Sequence, residues 1–304
     1  MSTFRRPQTV TTMTRHGALD LKQVPITLAG ARAVRGQVTA ATVSTKFYIN
    51  GDLGYFQSNN ALRLHWRPDP ASAYITTIVF VASGAYTGAE LAAAINARLT
   101  GFVNATGDVV AAVTWRDRRF YISNNANETT YPTSTLSVNV AFYTQTNATA
   151  YALPLVLGLS PENARLYYTA GPYYPTDASA LSLAFTSAGG TSLGVPPLTQ
   201  LLEASTVQLA VTQMDGDTAV GVLAPANDGV SVAGEFPTAM RLSGIGEEYS
   251  LTSADTIEIK LFTDRYEDGQ PDRLAEPTRV LGVSQLLRNG VGLLVTLLLT
   301  YEQR

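Results

Sequence analysis

Short runs of alternating apolar and polar residues recur along most of the chain and predict a fold built mainly from β-strands. Alternation is typical of a half-buried strand, because successive side chains point to opposite faces. Turn-forming residues separate many runs, and the polar turn at 116–118 predicts a hairpin. We expect antiparallel sheets, packed as a sandwich. The predicted strands are 47–50, 61–66, 74–81, 109–115, 119–123, 136–142, 206–212, 229–233, 239–243, 256–262 and 293–301.

The most apolar run of the chain occupies residues 291–300. It is too short for a helix that crosses a bilayer, which needs about 20 residues. Its valine, leucine and threonine content instead favours a strand that is buried on both faces. The N-terminus has no apolar core behind its arginines, so we expect no secretory signal. We therefore predict a protein that is not inserted in a membrane.

Residues 87–99 interrupt the β pattern with the signature of one short helix. Thr87 and Glu90 have the spacing of a capping box, in which the hydroxyl and the carboxylate bond reciprocally to first-turn amides. Gly101 follows the helix, where a left-handed residue often ends the last turn. An apolar stripe at intervals of four residues predicts packing on a sheet. The stripe consists of Leu91, Ile95 and Leu99.

Composition divides the chain into three predicted segments. Residues 1–45 lack long periodic stretches and predict an extended arm, whereas residues 46–194 form a β-rich module that includes the helix. A stretch of small residues leads to a double proline at 196–197, which we expect to break the chain. An antiparallel β domain is predicted over 195–304, with a short helix around 283–287.

The three segments differ strongly in charge. The formal net charge is −3, from 21 basic and 24 acidic residues. The arm carries +5, the middle segment is neutral, and the last segment carries −8. Complementary charge can fix partner and register between copies, so we predict that the arm leaves its own subunit and orders on a neighbour. The other interpretation is a solvated tail on an acidic domain. The arginines offered as assembly contacts are Arg5, Arg6, Arg15, Arg32 and Arg35.

Overall composition indicates a surface that is covered by other subunits. Hydrophobic residues make up 45% of the chain and charged residues only 15%, against about 25% charged in a typical soluble domain. This balance excludes a disordered chain. Tyrosine is abundant and offers apolar area with a polar tip, which suits protein interfaces and sugar-binding faces alike. Four tyrosines concentrated in one Pro/Tyr-rich segment are further candidate contacts, namely Tyr167, Tyr168, Tyr173 and Tyr174.

Few catalytic chemistries fit this chain. It has no cysteine and two histidines, His16 and His65, which excludes thiolate zinc sites and cysteine nucleophiles. No glycine-rich phosphate loop is followed by the lysine that it needs. Scattered arginines and scarce lysine disfavour nucleic-acid binding. We therefore expect no enzymatic activity, no cofactor and no metal site.

Two groups of carboxylates are the exceptions to consider. The acidic turn at 264–272 could hold calcium through oxygen ligands, but its spacing fits no EF-hand and arginines interrupt it, which favours a solvated turn. Glu247 and Glu248, with the acidic turn at 215–217, could form a glycosidase pair. Asp-Gly turns are common in ordinary hairpins. The sequence does not give the distance between these carboxylates, so it does not support a glycosidase pair over plain turns.

The middle of the chain resembles a known structural module. An apolar strand at 75–81 is followed by the helix sequence 87–96, two strands over 109–123 and the Leu-Gly-Leu element 157–159. This order resembles the "IN" module of flagellar hook-associated and filament-cap proteins. It is also similar to an arrangement in structural proteins of tailed bacteriophages and in minor capsid proteins of other double-stranded DNA viruses. Flagellar axial proteins have terminal heptad helices, which this chain lacks, so the viral resemblance fits better.

The resemblance implies a virion structural protein with no active site. We expect a non-enzymatic component of a capsid, vertex, neck or tail that assembles with copies of itself and other virion proteins. The alternative is a receptor- or glycan-binding adhesion module of a phage tail or a bacterial surface appendage, with the four tyrosines as its contact face.

Overall fold

A computed structural model describes twenty parts of the chain. They are residues 5–13, 18–20, 31–51, 59–66, 73, 75–101, 111–124, 136–139, 153–158, 181–183, 191–192, 194–204, 206–211, 219–226, 234–236, 238–242, 246–250, 256–263, 280–282 and 290–303. The predicted strand 229–233, the predicted helix around 283–287 and the acidic turns 215–217 and 264–272 lie outside these residues.

Strands account for most of the described residues, which confirms the mainly β prediction. They are β1 Arg5–Met13, β2 Ala18–Asp20, β3 Ala31–Ile49, β4 Ala61–Trp66, β5 Ile75–Phe80, β6 Gly84–Tyr86, β7 Ala111–Arg116, β8 Arg119–Asn124, β9 Leu136–Asn139, β10 Leu181–Leu183, β11 Thr191–Ser192, β12 Val207–Val211, β13 Ala219–Pro225, β14 Met240–Leu242, β15 Tyr249–Ser250, β16 Thr256–Thr263, β17 Val280–Gly282 and β18 Val291–Gln303. The described helices are α1 Gly88–Leu99, α2 Leu153–Val156 and α3 Pro197–Glu203.

The strands form three antiparallel sheets. The largest has the order β1-β18-β3-β14-β13-β12-β16-β17, with β15 and β6 also paired to β3 and β2 paired to β16. The second has the order β10-β9-β4-β5, and the third β11-β8-β7. The large sheet therefore combines strands from all three predicted segments, and the predicted boundary at residue 45 lies within β3. The division into domains stays a prediction.

Strand β18 is buried on one face only, so the prediction of burial on both faces was wrong. Leu294 is 40% exposed, and the other even-numbered positions as far as Thr300 are half-buried, apart from the buried Gly292. Alternate side chains of a strand point to opposite faces, and here no described element covers Leu294 on the second face. The buried odd-numbered face consists of Val291, Leu293, Val295, Leu297 and Leu299.

The basic N-terminal segment pairs with its own chain. β1 lies antiparallel to β18, with Arg5 opposite Glu302 and Met13 opposite Leu294, and β3 lies on the other side of β18. The prediction that this segment leaves its subunit is therefore wrong for the described residues. The physical reason is apolar burial, because β3 contributes Val38 and Val43 to the core, at 1% and 0% exposure.

Helix α1 confirms the predicted helix and its capping box. The Glu90 amide donates to Thr87 Oγ1 at 3.2 Å, and the Thr87 amide donates to Glu90 Oε2 at 2.8 Å. The predicted stripe is buried at 0–1% exposure. The end of the helix differs from expectation, because Thr100 is the C-terminal cap in right-handed conformation and Gly101 is not among the described glycines with positive φ.

The polar turn at 116–118 forms the predicted hairpin between β7 and β8. Its two loop residues, Asp117 and Arg118, have φ values of 49° and 57°. Two successive residues with positive φ match the twist of the flanking strands, as in the turns that favour two-residue hairpins. The hairpin register is regular from Ala111 opposite Asn124 to Arg116 opposite Arg119.

The double proline begins a helix rather than breaking the chain. Pro196 is the N-terminal cap of α3 and Pro197 is its first residue, a position where proline is favoured because its missing N–H would have no partner. Leu198 and Leu201 of α3 are fully buried. The helix thereby anchors this part of the chain in the core.

A single core joins the three sheets and the helices. At its aromatic centre, the Phe47 ring on β3 lies 5.5 Å from that of Trp115 and 5.2 Å from that of Phe120, both on the hairpin. Phe236 completes the group at 6.2 Å from Phe47. Edge-to-face contacts of this kind add about 0.5–1.5 kcal/mol beyond burial. The hairpin is therefore held directly against the large sheet.

A buried asparagine ties the end of β3 to the start of β4. Asn59 is fully buried, its Oδ1 accepts from the Asn50 amide at 2.7 Å, and its Nδ2 donates to the Tyr48 carbonyl at 2.8 Å. Next to it, Asn60 exchanges bonds with Val81, just beyond β5. These bonds fix β4 and β5 relative to the large sheet.

Replacing Gly88 with alanine should destabilise the protein. A Cβ at this position would lie 2.1 Å from Trp115 Cε2, so the packed indole must move. We expect a loss of about 1–3 kcal/mol in the free energy of unfolding, measured by urea denaturation, despite the higher helix propensity of alanine. Gly101→Ala is the control, since a Cβ there meets nothing within 4 Å. A Gly88→Ala variant as stable as wild type would contradict this packing.

The capping box should make helix α1 sensitive to acid. The hydrogen bond from the Thr87 amide is the main reason why the pKa of Glu90 lies below its usual value. A lowered folded-state pKa gives stability that is present above the unfolded pKa, about 4.3, and is lost as the pH falls through the folded value. Glu90→Gln should therefore lower the Tm at pH 7, with the difference vanishing at low pH. Glu247→Gln, at an exposed site outside the helix, serves as the control; a pH-independent difference would contradict the prediction.

Candidate assembly surface

The structure places one predicted contact arginine in full. Arg35 on β3 is exposed and pairs with Glu248 at 3.6 Å, beside the short strand β15 that lies against β3. An exposed ion pair of this kind contributes about 0–1 kcal/mol. Opposite charges of the two ends thus meet within one chain at this point.

For the other predicted contact residues, the structure describes at most the strand on which they lie. Arg5 and Arg6 lie on β1, opposite Glu302 and Tyr301 of β18, and Arg32 lies on β3. Their side chains are outside the described residues, as are all of Arg15, Tyr167, Tyr168, Tyr173 and Tyr174. Their role in assembly stays a prediction.

Exposed large apolar side chains mark two regions of the described surface. On the four-stranded sheet, Ile78 is 37% and Phe80 is 53% exposed. On the large sheet, Val222 is 38% and Leu294 is 40% exposed. Single exposed apolar residues are common on soluble proteins. Here the two regions lie on different sheets.

The first region is the edge strand β5. It is the last strand of its sheet, and its pairing with β4 runs without interruption from Ile75 opposite Trp66 to Phe80 opposite Ala61. Val79 is buried, whereas its neighbours Ile78 and Phe80 lie on the opposite, exposed face. We call this strand with its two exposed apolar side chains the β5 edge.

Strand β7, which lies at one edge of the three-stranded sheet, is hydrogen-bonded along its outer side by a side chain. Asn96 on α1 donates from Nδ2 to the Val113 carbonyl at 2.8 Å and accepts from the Val113 amide at 2.7 Å. An asparagine side chain thereby replaces one residue of a neighbouring strand along β7. Ile95, the preceding residue, is fully buried. The Ile-Asn pair in the helix motif thus anchors the helix to the core and covers the outer edge of β7 at Val113.

Sequence reasoning did not identify this role of Asn96. The helix motif predicts the packing of its apolar members on a sheet, and no local pattern indicates a partner for its asparagine. A polar residue directly after a core position on a sheet-packing helix is a usable signal, because it lies at the border of the apolar stripe. The β5 edge was also missed, since exposure at Phe80 depends on strand order rather than on local sequence.

The candidate catalytic side chains do not form a common site among the described residues. Glu247 and Glu248 are exposed, and His65 lies on β4 with Thr76 and Ser137 as its register neighbours. Within this part of the chain, no group of three or more metal-ligating His, Cys, Asp or Glu residues occurs. None of the described helices is both long and apolar enough to cross a membrane.

Comparison with known proteins yields only weak structural similarity. No family model matches the chain, and no curated protein matches it, so the resemblance to the flagellar module has no support. Among solved structures, the chain is similar to the crystal structure of the selenomethionine-labelled mavirus penton protein, with 11% identity over 99% of this chain and 100% of the other. The TM-score is 0.29, which is below the level of a shared fold.

Removing the Asn96 amide should destabilise the packing of α1 on β7. Asn96→Ala leaves the amide and carbonyl of Val113 without their side-chain partner, at a cost of about 1–3 kcal/mol in unfolding free energy. Urea denaturation measures this loss. Arg98→Ala, at an exposed position of the same helix, is the matched control and should change stability little. Equal effects of the two variants would contradict the role given to Asn96.

Proposed function

We propose that this protein is a non-enzymatic structural component of a virus particle and assembles in multiple copies. The observation that carries the proposal is the presence of exposed apolar side chains on two different sheets of one subunit, at Phe80 and Leu294. A subunit with one self-complementary contact surface closes into a dimer, whereas two distinct surfaces allow closed rings or extended assemblies.

The composition supports the same proposal. With 15% charged residues, the chain has fewer charges than a typical soluble domain, about 25%. The central part of interfaces is depleted in charged residues and enriched in aromatic ones. A surface that is buried against neighbouring subunits does not need charged residues to remain hydrated.

The outer face of β3 and β18 extends the second surface. At its centre, Thr39 and Ala40 are exposed, Thr42 is half-buried, and Leu294 lies opposite Thr42. Charged residues of β3 lie beyond this stretch, at Arg35 and Lys46. On the other side of β3, the exposed Arg241 of β14 lies opposite Thr42. The stretch of β3 and β18 between these charged residues is uncharged and suits contact with another subunit of the particle, either a copy of this chain or another virion protein.

Location and copy number in a purified particle test the proposal directly. We expect the protein to band with particles on a density gradient and to be present in a fixed ratio to the other particle proteins, as measured by quantitative mass spectrometry. Leu294→Lys should lower incorporation without loss of folding, because a lysine there places a charge on the contact face. Protein found only in the soluble fraction would contradict the proposed function. Incorporation that is unchanged by Leu294→Lys would contradict the role of this sheet face in assembly.

A further inference from the structure

We propose that the β5 edge pairs antiparallel with the β5 edge of a second copy, so that two four-stranded sheets join into one. This inference rests on the proposed structural function and names one of its contacts. The occupant is a copy of this chain, and the contact combines backbone hydrogen bonds with the exposed apolar pair.

The first argument is that β5 lacks the usual protection of an edge strand. Natural proteins guard such strands with charges, proline, bulges or covering elements. The strand Ile75–Phe80 has the sequence ITTIVF, with no charge, proline or glycine. Its register with β4 has no bulge, and among the described residues β4 is its only strand neighbour.

The second argument is the contrast with β7 in the same protein. There, Asn96 bonds to both backbone groups of Val113 and so occupies the outer edge of that strand. Within the part of the chain that the structure describes, one edge is therefore occupied by a dedicated side chain, whereas β5 has no second strand beside it. Open edges pair readily with a further strand.

The third argument is that β5 is complementary to itself. Ile78 and Phe80 are two residues apart and lie on one face, so a two-fold axis perpendicular to the sheet places both copies' exposed pairs on the same side. In the register centred on Val79, Ile78 of each copy lies opposite Phe80 of the other. Cross-strand pairs of an aromatic with a β-branched residue are favourable. With no charge on either strand, self-pairing meets no repulsion.

The size of the contact sets the expected strength. A six-residue strand is about 20 Å long, so pairing along its edge buries far less than the ~800 Å² per partner of a standard stable interface. We therefore expect a reversible dimer that forms at high protein concentration, and that neighbouring contacts in a particle reinforce.

Sedimentation velocity over a concentration series tests the pairing with the full chain. Wild type should shift from monomer to dimer as concentration rises. Phe80→Lys should weaken dimerisation by about tenfold or more, because the charge would have to be desolvated at the joined face. Ala97→Lys, an equal change of charge on the exposed side of α1, should dimerise like wild type. Circular dichroism confirms that the variants fold.

Disulfide trapping tests the register independently of affinity. The chain has no cysteine, so introduced cysteines have no competing partner. A mixture of the Ile78→Cys and Phe80→Cys variants should form crosslinked dimers on mild oxidation more completely than either variant alone. Equal crosslinking in all three samples would overturn the proposed register.

A wild type that stays monomeric at all concentrations, or a Phe80→Lys variant that dimerises like wild type, would overturn the inference. Monomeric wild type together with loss of particle incorporation in Phe80→Lys would assign β5 to another virion protein, which also overturns self-pairing. Presence in particles is measured separately, so the proposed function can stand when this inference fails.

Discussion

The pairing of β3 with β18 is the interaction on which the remaining structure depends. These strands share twelve paired positions, and β3 also pairs with β14, β15 and β6 on its other side. Phe47 near the end of β3 carries the aromatic contacts that hold the β7–β8 hairpin. Loss of this strand pair would separate the termini of the chain and remove the surface on which helix and hairpin pack.

Local sequence predicted the elements whose signals are complete within a few residues. Strand β4 has the predicted bounds, and α1 differs from prediction by one residue at its start. The capping box and the apolar stripe of α1 each span one or a few helical turns. At β4 and α1 the structure therefore agrees with sequence reasoning, because each pattern keeps one period and needs no distant partner.

The long strand β3 shows why other elements were not predictable. Its register against β18 shifts between Thr296 and Leu297, and both Thr39 and Ala40 are exposed there. Burial changes from even positions, such as Val38, to odd positions, such as Val43. A bulge of this type inserts a residue into one strand, so a search for strict alternation divides one strand into two weak segments.

The exposed apolar residues and the surface ion pair could not be predicted from local sequence, because they depend on the order of strands in the sheets. The exposure of Phe80 follows from the position of β5 at the end of its sheet, and the ion pair of Arg35 follows from the position of β15. The charge difference between the ends of the chain was real, but it does not distinguish contacts within a subunit from contacts between subunits. Only strand order resolves that ambiguity.

The distance in sequence between β3 and β18 has a consequence for biosynthesis. Thr39 and Thr296, which bond across this pair, are 257 residues apart. At roughly 5–20 residues per second, the ribosome makes β18 about 10–50 s after β3. During that interval the apolar side of β3 has no final partner, and closing so long a loop is slow. The nascent chain therefore passes through a period in which its central strand lacks its C-terminal partner, a state that favours aggregation.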